Sequence, residues 1–189
     1  VIAGVLLTGG RSRRMGSPKA TLRVGGETLA VRAARTLGAV CHPVVEAGGG
    51  WSGAPSVRDP GGGPVAGLVA ACEALGWPAV VLVLGVDLPR ADAALLRFLA
   101  GRPGVASVVP AVGGAWQPVC ARYGPAALDA ARAAGPTGGA RSLRSLLAAD
   151  PGLYVVAEEE WRAAAPGAAL DDVDTPEAAA ALGLRPAAG

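Results

Sequence analysis

Lys19 is the one lysine in a chain of 189 residues whose other basic residues are sixteen arginines. It closes the glycine-rich run Gly9-Gly10-Arg11-Ser12-Arg13-Arg14-Met15-Gly16-Ser17-Pro18-Lys19. Glycines let backbone N–H groups approach an anion closely, and an ammonium serves phosphate as a compact point charge that the planar guanidinium replaces poorly. The run is therefore expected to bind the phosphates of a nucleotide, with Lys19 first and Arg14 second among its cations, and Arg11 and Arg13 nearby. It is not a Walker A loop, because no Gly-Lys-Ser/Thr ending follows, and it does not match Gly-x-Gly-x-x-Gly.

Phosphate chemistry needs a hard cation with oxygen ligands, and Asp87 in Asp87-Leu88-Pro89 is the first candidate to hold Mg²⁺. It follows an apolar run, so a rigid strand would carry it, although a turn or helix-cap aspartate has the same local sequence. Asp171, Asp172 and Asp174 form a second carboxylate source; Asp174 is the metal-ligand candidate, and Asp174 or Thr175 before Pro176 equally suits a helix start. Asp59 lies in a glycine-rich loop, where it can accept from a base or ribose or simply begin the turn at Pro60. Gln117, the one side-chain carboxamide of the chain, is the candidate contact for a second substrate, with a surface role as its alternative. His42 before Pro43 reads as a turn residue. Glu158-Glu159-Glu160 reads as a solvated helix start, and Trp51, Trp77, Trp116 and Trp161 show no stacking periodicity.

The elements that must position these groups follow from periodicity. Ile2 to Leu7 is a short apolar run ending in glycines, a buried strand that feeds a loop. Thr28 caps a helix through Leu29, Val31, Ala34 and Leu37. Val44-Val45 is a short strand, and the turn-rich stretch from Ala47 to Gly63 is a functional or mobile loop. Pro64 suits the first turn of a helix reaching Leu75, and Ala79 to Val86 is a central strand buried on both faces. Helix Ala93 to Leu99, strand Val105 to Pro110, strand Val119 to Tyr123, helices Ala126 to Ala134 and Arg141 to Ala148, strand Leu153 to Val156 and helix Pro176 to Leu182 complete the alternation. This order predicts a three-layer, Rossmann-like α/β/α domain with a mostly parallel sheet, spanning residues 1–189 with a flexible tail in the last few. Ligands of such sheets bind at the carboxyl ends of the strands, where the first loop and Asp87 both fall.

Composition narrows the function. A net charge of +2 lacks the basic field expected of a protein that binds polymeric nucleic acid, so a small phosphorylated ligand fits better. Cys41, Cys72 and Cys120 are odd in number and widely spaced, which gives neither a disulfide framework nor a metal pair and suits a reducing cytoplasm. The absence of a charged leader and of a bilayer-length apolar run leads to the expectation of a soluble protein that is not exported.

Taken together, the motifs resemble those of the nucleotidyltransferases that attach a guanine nucleotide to the molybdenum cofactor. The resemblance rests on Leu7-Thr8-Gly9-Gly10-Arg11-Ser12-Arg13-Arg14-Met15-Gly16 with Lys19, then Gly63-Pro64-Val65-Ala66-Gly67, Val86-Asp87-Leu88-Pro89, Gln117-Pro118 and Asp172-Val173-Asp174-Thr175-Pro176-Glu177 in family order. It implies a Rossmann-like enzyme that joins GTP and molybdopterin to give a guanine dinucleotide and pyrophosphate, with Mg²⁺. Leu7, Thr8, Gly9 and Gly10 would fall on the nucleotide-binding segment, Lys19 on the phosphate lysine, Asp59 on a guanosine-side aspartate and Asp87 on the metal aspartate. Lys19, Arg14 and Asp87 would be catalytic. The chain departs from the pattern at Glu46, Asp172 and Asp174, where the enzymes resembled usually carry asparagine. The rival readings are a cytidylyltransferase of the same cofactor or another nucleotidyltransferase of small-molecule phosphates. A different class again would be a non-catalytic nucleotide- or cofactor-binding module. Transient contacts with cofactor-synthesis or acceptor proteins are also expected.

Overall fold

The computed structural model describes residues 2–9, 18–139 and 141–185. The first strand, β1 (Ala3–Leu7), is buried along its whole length. A 3-10 turn at Lys19–Thr21 leads into the small hairpin of β2 (Arg23–Val24) and β3 (Glu27–Thr28), then α1 (Leu29–Gly38), β4 (Val44–Ala47), β5 (Ser56–Val57) and α2 (Pro64–Ala74). The chain continues through β6 (Val81–Gly85), α3 (Ala93–Ala100), β7 (Val108–Val112), β8 (Ala115–Trp116), β9 (Cys120–Tyr123), α4 (Pro125–Ala134) and α5 (Leu143–Ala148). It closes with β10 (Tyr154–Val156), α6 (Glu158–Ala164) and α7 (Pro176–Ala181).

Local chemistry sets most of these boundaries. The hydroxyl of Thr28 accepts from the Val31 N–H at the start of α1, and Asp92 and Ser142 cap α3 and α5 in the same way. Proline occupies the first turn of α2, α4 and α7, where its missing N–H has no helical partner to lose. The strand expected from Val105 begins only at Val108. Before it, the Ala106 carbonyl accepts from Arg122 and the Ser107 N–H donates to Asp150, so these groups do not enter the ladder. Likewise the helix expected from Arg141 begins at Leu143, because Ser142 is its cap. The two-residue strands β2, β3, β5 and β8 are too short to leave a sequence period.

The sheet runs β10-β7-β9-β6-β1-β4-β5, with β8 paired to β7. β1 is parallel to both β4 and β6, and β4 to β5, while β9 runs antiparallel between β6 and β7. The carboxyl ends of β5, β4, β1, β6 and β7 thus share one edge, and β9 begins there. Alternate residues of β1 face different layers: Ala3, Val5 and Leu7 pack with α2, α4 and α5, whereas Leu6 packs with α1, α3 and α6. Gly67 brings α2 close to the sheet, its open side against Ala47 and Leu7.

A third, smaller core lies beside the sheet edge and joins Ala20, Leu22, Leu29, Ala30, Val86, Val173, Ala179 and Leu184. It gathers the 3-10 turn, the start of α1, the end of β6 and the approach to α7, segments far apart in the chain. Cys41, Cys72 and Cys120 are buried and unpaired, and burial pushes each thiol up to about 12, which leaves no nucleophilic thiolate among them. No helix among the described residues is long and apolar enough to cross a membrane.

The glutamates Glu158 to Glu160 do start a helix, yet that helix also carries Trp161, which is wholly buried and donates from its indole to the Ala111 carbonyl at 2.9 Å. Trp161→Ala is expected to destabilise the protein by about 3–5 kcal/mol through the cavity it leaves. Urea denaturation measures this, and a loss below about 1 kcal/mol would mean that α6 is not an integral part of the layer.

Candidate functional site

The site is built on the shared carboxyl edge. After β1, Thr8 and Gly9 leave the sheet with both N–H groups directed at the Ala47 carbonyl, at 3.1 and 3.2 Å. The Thr8 hydroxyl donates to Glu46 Oε1 at 2.5 Å. Gly48 lies so close to Thr8 that a side chain at position 48 would strike the Thr8 hydroxyl and crowd the Gly9 nitrogen. Gly9 in turn has the Asp59 carboxylate in the space a Cβ would need. Asp59 accepts from the Gly61 N–H at 2.8 Å through Oδ1, so it performs the turn function and also reaches the expected nucleotide segment.

Across β1, the end of β6 is tied to the same place by the Val86 N–H donating to the Leu7 carbonyl at 3.0 Å. The next residue is Asp87, whose carboxylate folds back over Gly85 in a space that only a residue without Cβ leaves open. The Asp87 carbonyl accepts from Val173 N–H at 3.0 Å, which brings the acidic segment alongside. Lys19 forms an ion pair with Asp174 there, and the charges of Lys19, Asp174 and Asp172 all act on Asp87. The cap of α7 is Thr175, whose hydroxyl accepts from Ala178 N–H at 3.1 Å. Asp174 is therefore not a capping residue, and neither is Asp87, since α3 is capped by Asp92.

Burial raises the Asp87 carboxyl above its ordinary value; Lys19 opposes the rise, and Asp174 and Asp172 add to it. Asp172 is raised as well, by burial first and then by Asp174. Such a cluster of oxygen donors with excess negative charge suits a hard divalent cation. No group of three or more metal-ligating side chains converges among the described residues.

Gln117 stands at the turn into β9 on the same edge. Its backbone N–H donates to the Pro110 carbonyl at 2.9 Å and its carbonyl accepts from Cys120 N–H at 3.0 Å, while its side chain has no hydrogen-bond partner among the described residues. Two residues on, the Val119 carbonyl accepts from the Gly85 N–H at 2.6 Å, which places this turn next to the base of Asp87. Leu7, Thr8, Gly9, Lys19, Asp59, Asp87, Gln117 and Asp174 thus lie along one side of the sheet. Gly10, Arg11, Arg13 and Arg14 fall outside the described residues.

Residues 4–170 match the model of the MobA-like NTP transferase domain. The chain belongs to the MobA-like NTP transferase family. A probable molybdenum cofactor guanylyltransferase of Opitutus terrae is 39% identical, over 86% of this chain and 89% of that one. A protein of the same description from Chloroflexus aggregans is 32% identical over 94% of this chain and 91% of its own. Among solved structures, molybdopterin-guanine dinucleotide biosynthesis protein A from Archaeoglobus fulgidus superposes with a TM-score of 0.77 at 19% identity, covering 96% of both chains. That last likeness supports the fold.

Within this MobA-like frame, Glu46 is the residue whose role the sequence did not reveal. It is wholly buried. Besides the Thr8 hydroxyl, it accepts from the Trp51 N–H at 3.0 Å, the Ser52 N–H at 2.8 Å and the Ser52 hydroxyl at 2.6 Å. Its carboxylate is committed to joining the first loop to the loop after β4, which leaves it no capacity to read a base. The available signal was its position, a lone acid within the otherwise apolar Val44–Ala47. Burial would raise its pKa, but the hydrogen bonds from Ser52, Thr8 and the Trp51 and Ser52 backbones outweigh that and hold it below the ordinary value of 4.5.

A carboxyl lowered in the folded state contributes stability above its unfolded pKa and loses that contribution as pH falls through its folded value. Glu46→Gln turns an acceptor into an amide that faces existing donors, so it is expected to destabilise the protein most at neutral pH. The difference from wild type, followed by urea denaturation, should shrink as pH drops below 4.5. A difference that stays constant into acid would show that Glu46 is not ionised in the folded state.

Proposed function

We propose that this protein transfers GMP from GTP to the terminal phosphate of molybdenum-molybdopterin, forming the guanine dinucleotide and releasing pyrophosphate, with Mg²⁺ as cofactor. The observation that carries this reading is the meeting of Lys19, Asp87 and Asp174 beside the Thr8-Gly9 turn, in a MobA-like chain whose relatives are described as molybdenum cofactor guanylyltransferases. In the reaction an oxygen of the pterin's terminal phosphate forms a bond to the α-phosphorus of GTP, and the bond from that phosphorus to the bridging oxygen breaks as pyrophosphate leaves. The attacking phosphate is already ionised near neutral pH, so no general base is required.

The protein's work is positioning and charge compensation. Lys19 brings an ammonium to the triphosphate, assisted by Arg14, while the backbone of Leu7 to Gly10 receives the nucleoside. In the Lys19–Asp174 pair 57% of the Asp174 side chain is accessible and 17% of that of Lys19. Lys19 would exchange this partner for phosphate as the nucleotide arrives. Asp87 and Asp174 would hold Mg²⁺, which when bound supplies positive charge to the phosphoryl oxygens. Gln117, beside Asp87 on the same edge, is placed to contact the acceptor. The buried reduced thiols accord with a cytoplasmic site of action.

Lys19→Ala and Asp87→Asn are each expected to lower turnover by about 10²–10³-fold. Both should keep the cooperative thermal unfolding of the wild type, since neither is a core side chain. Pyrophosphate release with GTP and with CTP, with and without molybdopterin, tests the reaction itself. Release should require GTP and acceptor together; faster release with CTP would change the nucleotide assignment, and binding without release in every combination would indicate a binding module.

A further inference from the structure

We infer that Trp51 is the stacking platform for the nucleotide base, held in position by Glu46. This rests on the guanylyl-transfer reading for the identity of the base. The sheet order β6-β1-β4-β5 puts Asp87 at the end of β6 and the loop after β4 two strands away. With strands about 4.8 Å apart, the loops after β4 and β5 lie roughly 10–14 Å along the edge from the phosphate-binding corner. A nucleotide whose phosphates sit at Lys19 and Asp87 and whose nucleoside crosses the Thr8-Gly9 turn must lay its base there.

Trp51 occupies that loop with 44% of its surface exposed. The other tryptophans are accounted for: Trp161 is buried, and the rings of Trp77 and Trp116 are covered by Arg132 and Arg144 at 4.4 and 4.1 Å. Trp51 has no such partner among the described residues. It is nonetheless held, because Glu46 Oε1 accepts from both the Trp51 N–H and the Thr8 hydroxyl. Its indole lies against Gly49, where a Cβ would collide with the ring, and Gly50 takes the left-handed φ of +73° that turns the chain into Trp51. One buried carboxylate oxygen therefore fixes the nucleotide-binding turn and an uncovered aromatic residue relative to each other. Base stacking on an aromatic face suits a purine well and is independent of hydrogen-bond readout.

The test compares wild type, Trp51→Ala and Trp51→Phe for binding of GTP and of inorganic tripolyphosphate by calorimetry with Mg²⁺, and for pyrophosphate release. Trp51→Ala should weaken GTP about tenfold and raise its KM in parallel, with kcat near wild type and tripolyphosphate affinity unchanged. Trp51→Phe should recover most of the loss. GTP affinity within about twofold of wild type, or an equal loss for GTP and tripolyphosphate, would overturn the stacking role. A wild-type enzyme that prefers another nucleotide would instead overturn the guanylyl reading, and the same comparison with that nucleotide would still decide the role of Trp51.

Discussion

The site depends on the small apolar core formed by Ala20, Val86 and Val173 with their neighbours. Each of these three residues is directly adjacent in sequence to a charged one: Lys19 precedes Ala20, Asp87 follows Val86, and Asp174 follows Val173. Burying the apolar member of each pair fixes the charged member at the rim, so apolar packing assembles an arrangement that electrostatics alone would resist. Asp87, Asp172 and Asp174 repel one another, and the rise in the Asp87 and Asp172 carboxyls records that repulsion as well as their burial. The main-chain bond from Val173 to Asp87 and the bridge between Arg23 and Arg185 fasten the same corner.

A second anchoring device operates on the other side of β1. Glu46 is charged and fully buried, and it is tolerable there because hydrogen-bond donors satisfy its carboxylate. Those donors come from the first loop and from the loop after β4, so Glu46 joins these two loops as the small core joins the segments carrying Lys19, Asp87 and Asp174. A buried arginine shows the same principle without a role at the site. Arg122, 3% exposed, donates to the carbonyls of Ala100, Arg102 and Ala106 at the opposite edge of the sheet and closes the loop before β7. Buried charge here follows from loop closure on both edges.

Much of this was legible in the sequence because the signals are local. The apolar runs at residues 2–7 and 79–86, the cap at Thr28 and the prolines at 64 and 176 each follow from side chains within a few positions of one another. The candidate residues stood out for a similar reason: lysine is so rare in this chain that Lys19 was conspicuous beside its glycines, and Asp87 was conspicuous at the end of the most apolar strand. Strands of two residues left no trace, since a period cannot be read from one repeat. The role of Trp161 was equally hidden, because three glutamates ahead of it give the helix a polar look while its buried face contacts β7.

The sequence by itself determined the alternation of strands and helices and the position of Thr8 and Asp87 just beyond strand ends. These depend on near neighbours, for which spacing along the chain is a sufficient guide. The tertiary structure alone decided that Lys19 pairs with Asp174, since Asp171, Asp172 and Asp174 lie too close together in the chain for spacing to separate them. It also turned Glu46 from a departure in a base-contacting position into the acceptor that joins two loops. Partners 38 residues apart, as Thr8 and Glu46 are, are brought together by the parallel pairing of β1 with β4, and that contact exists only once the sheet has formed.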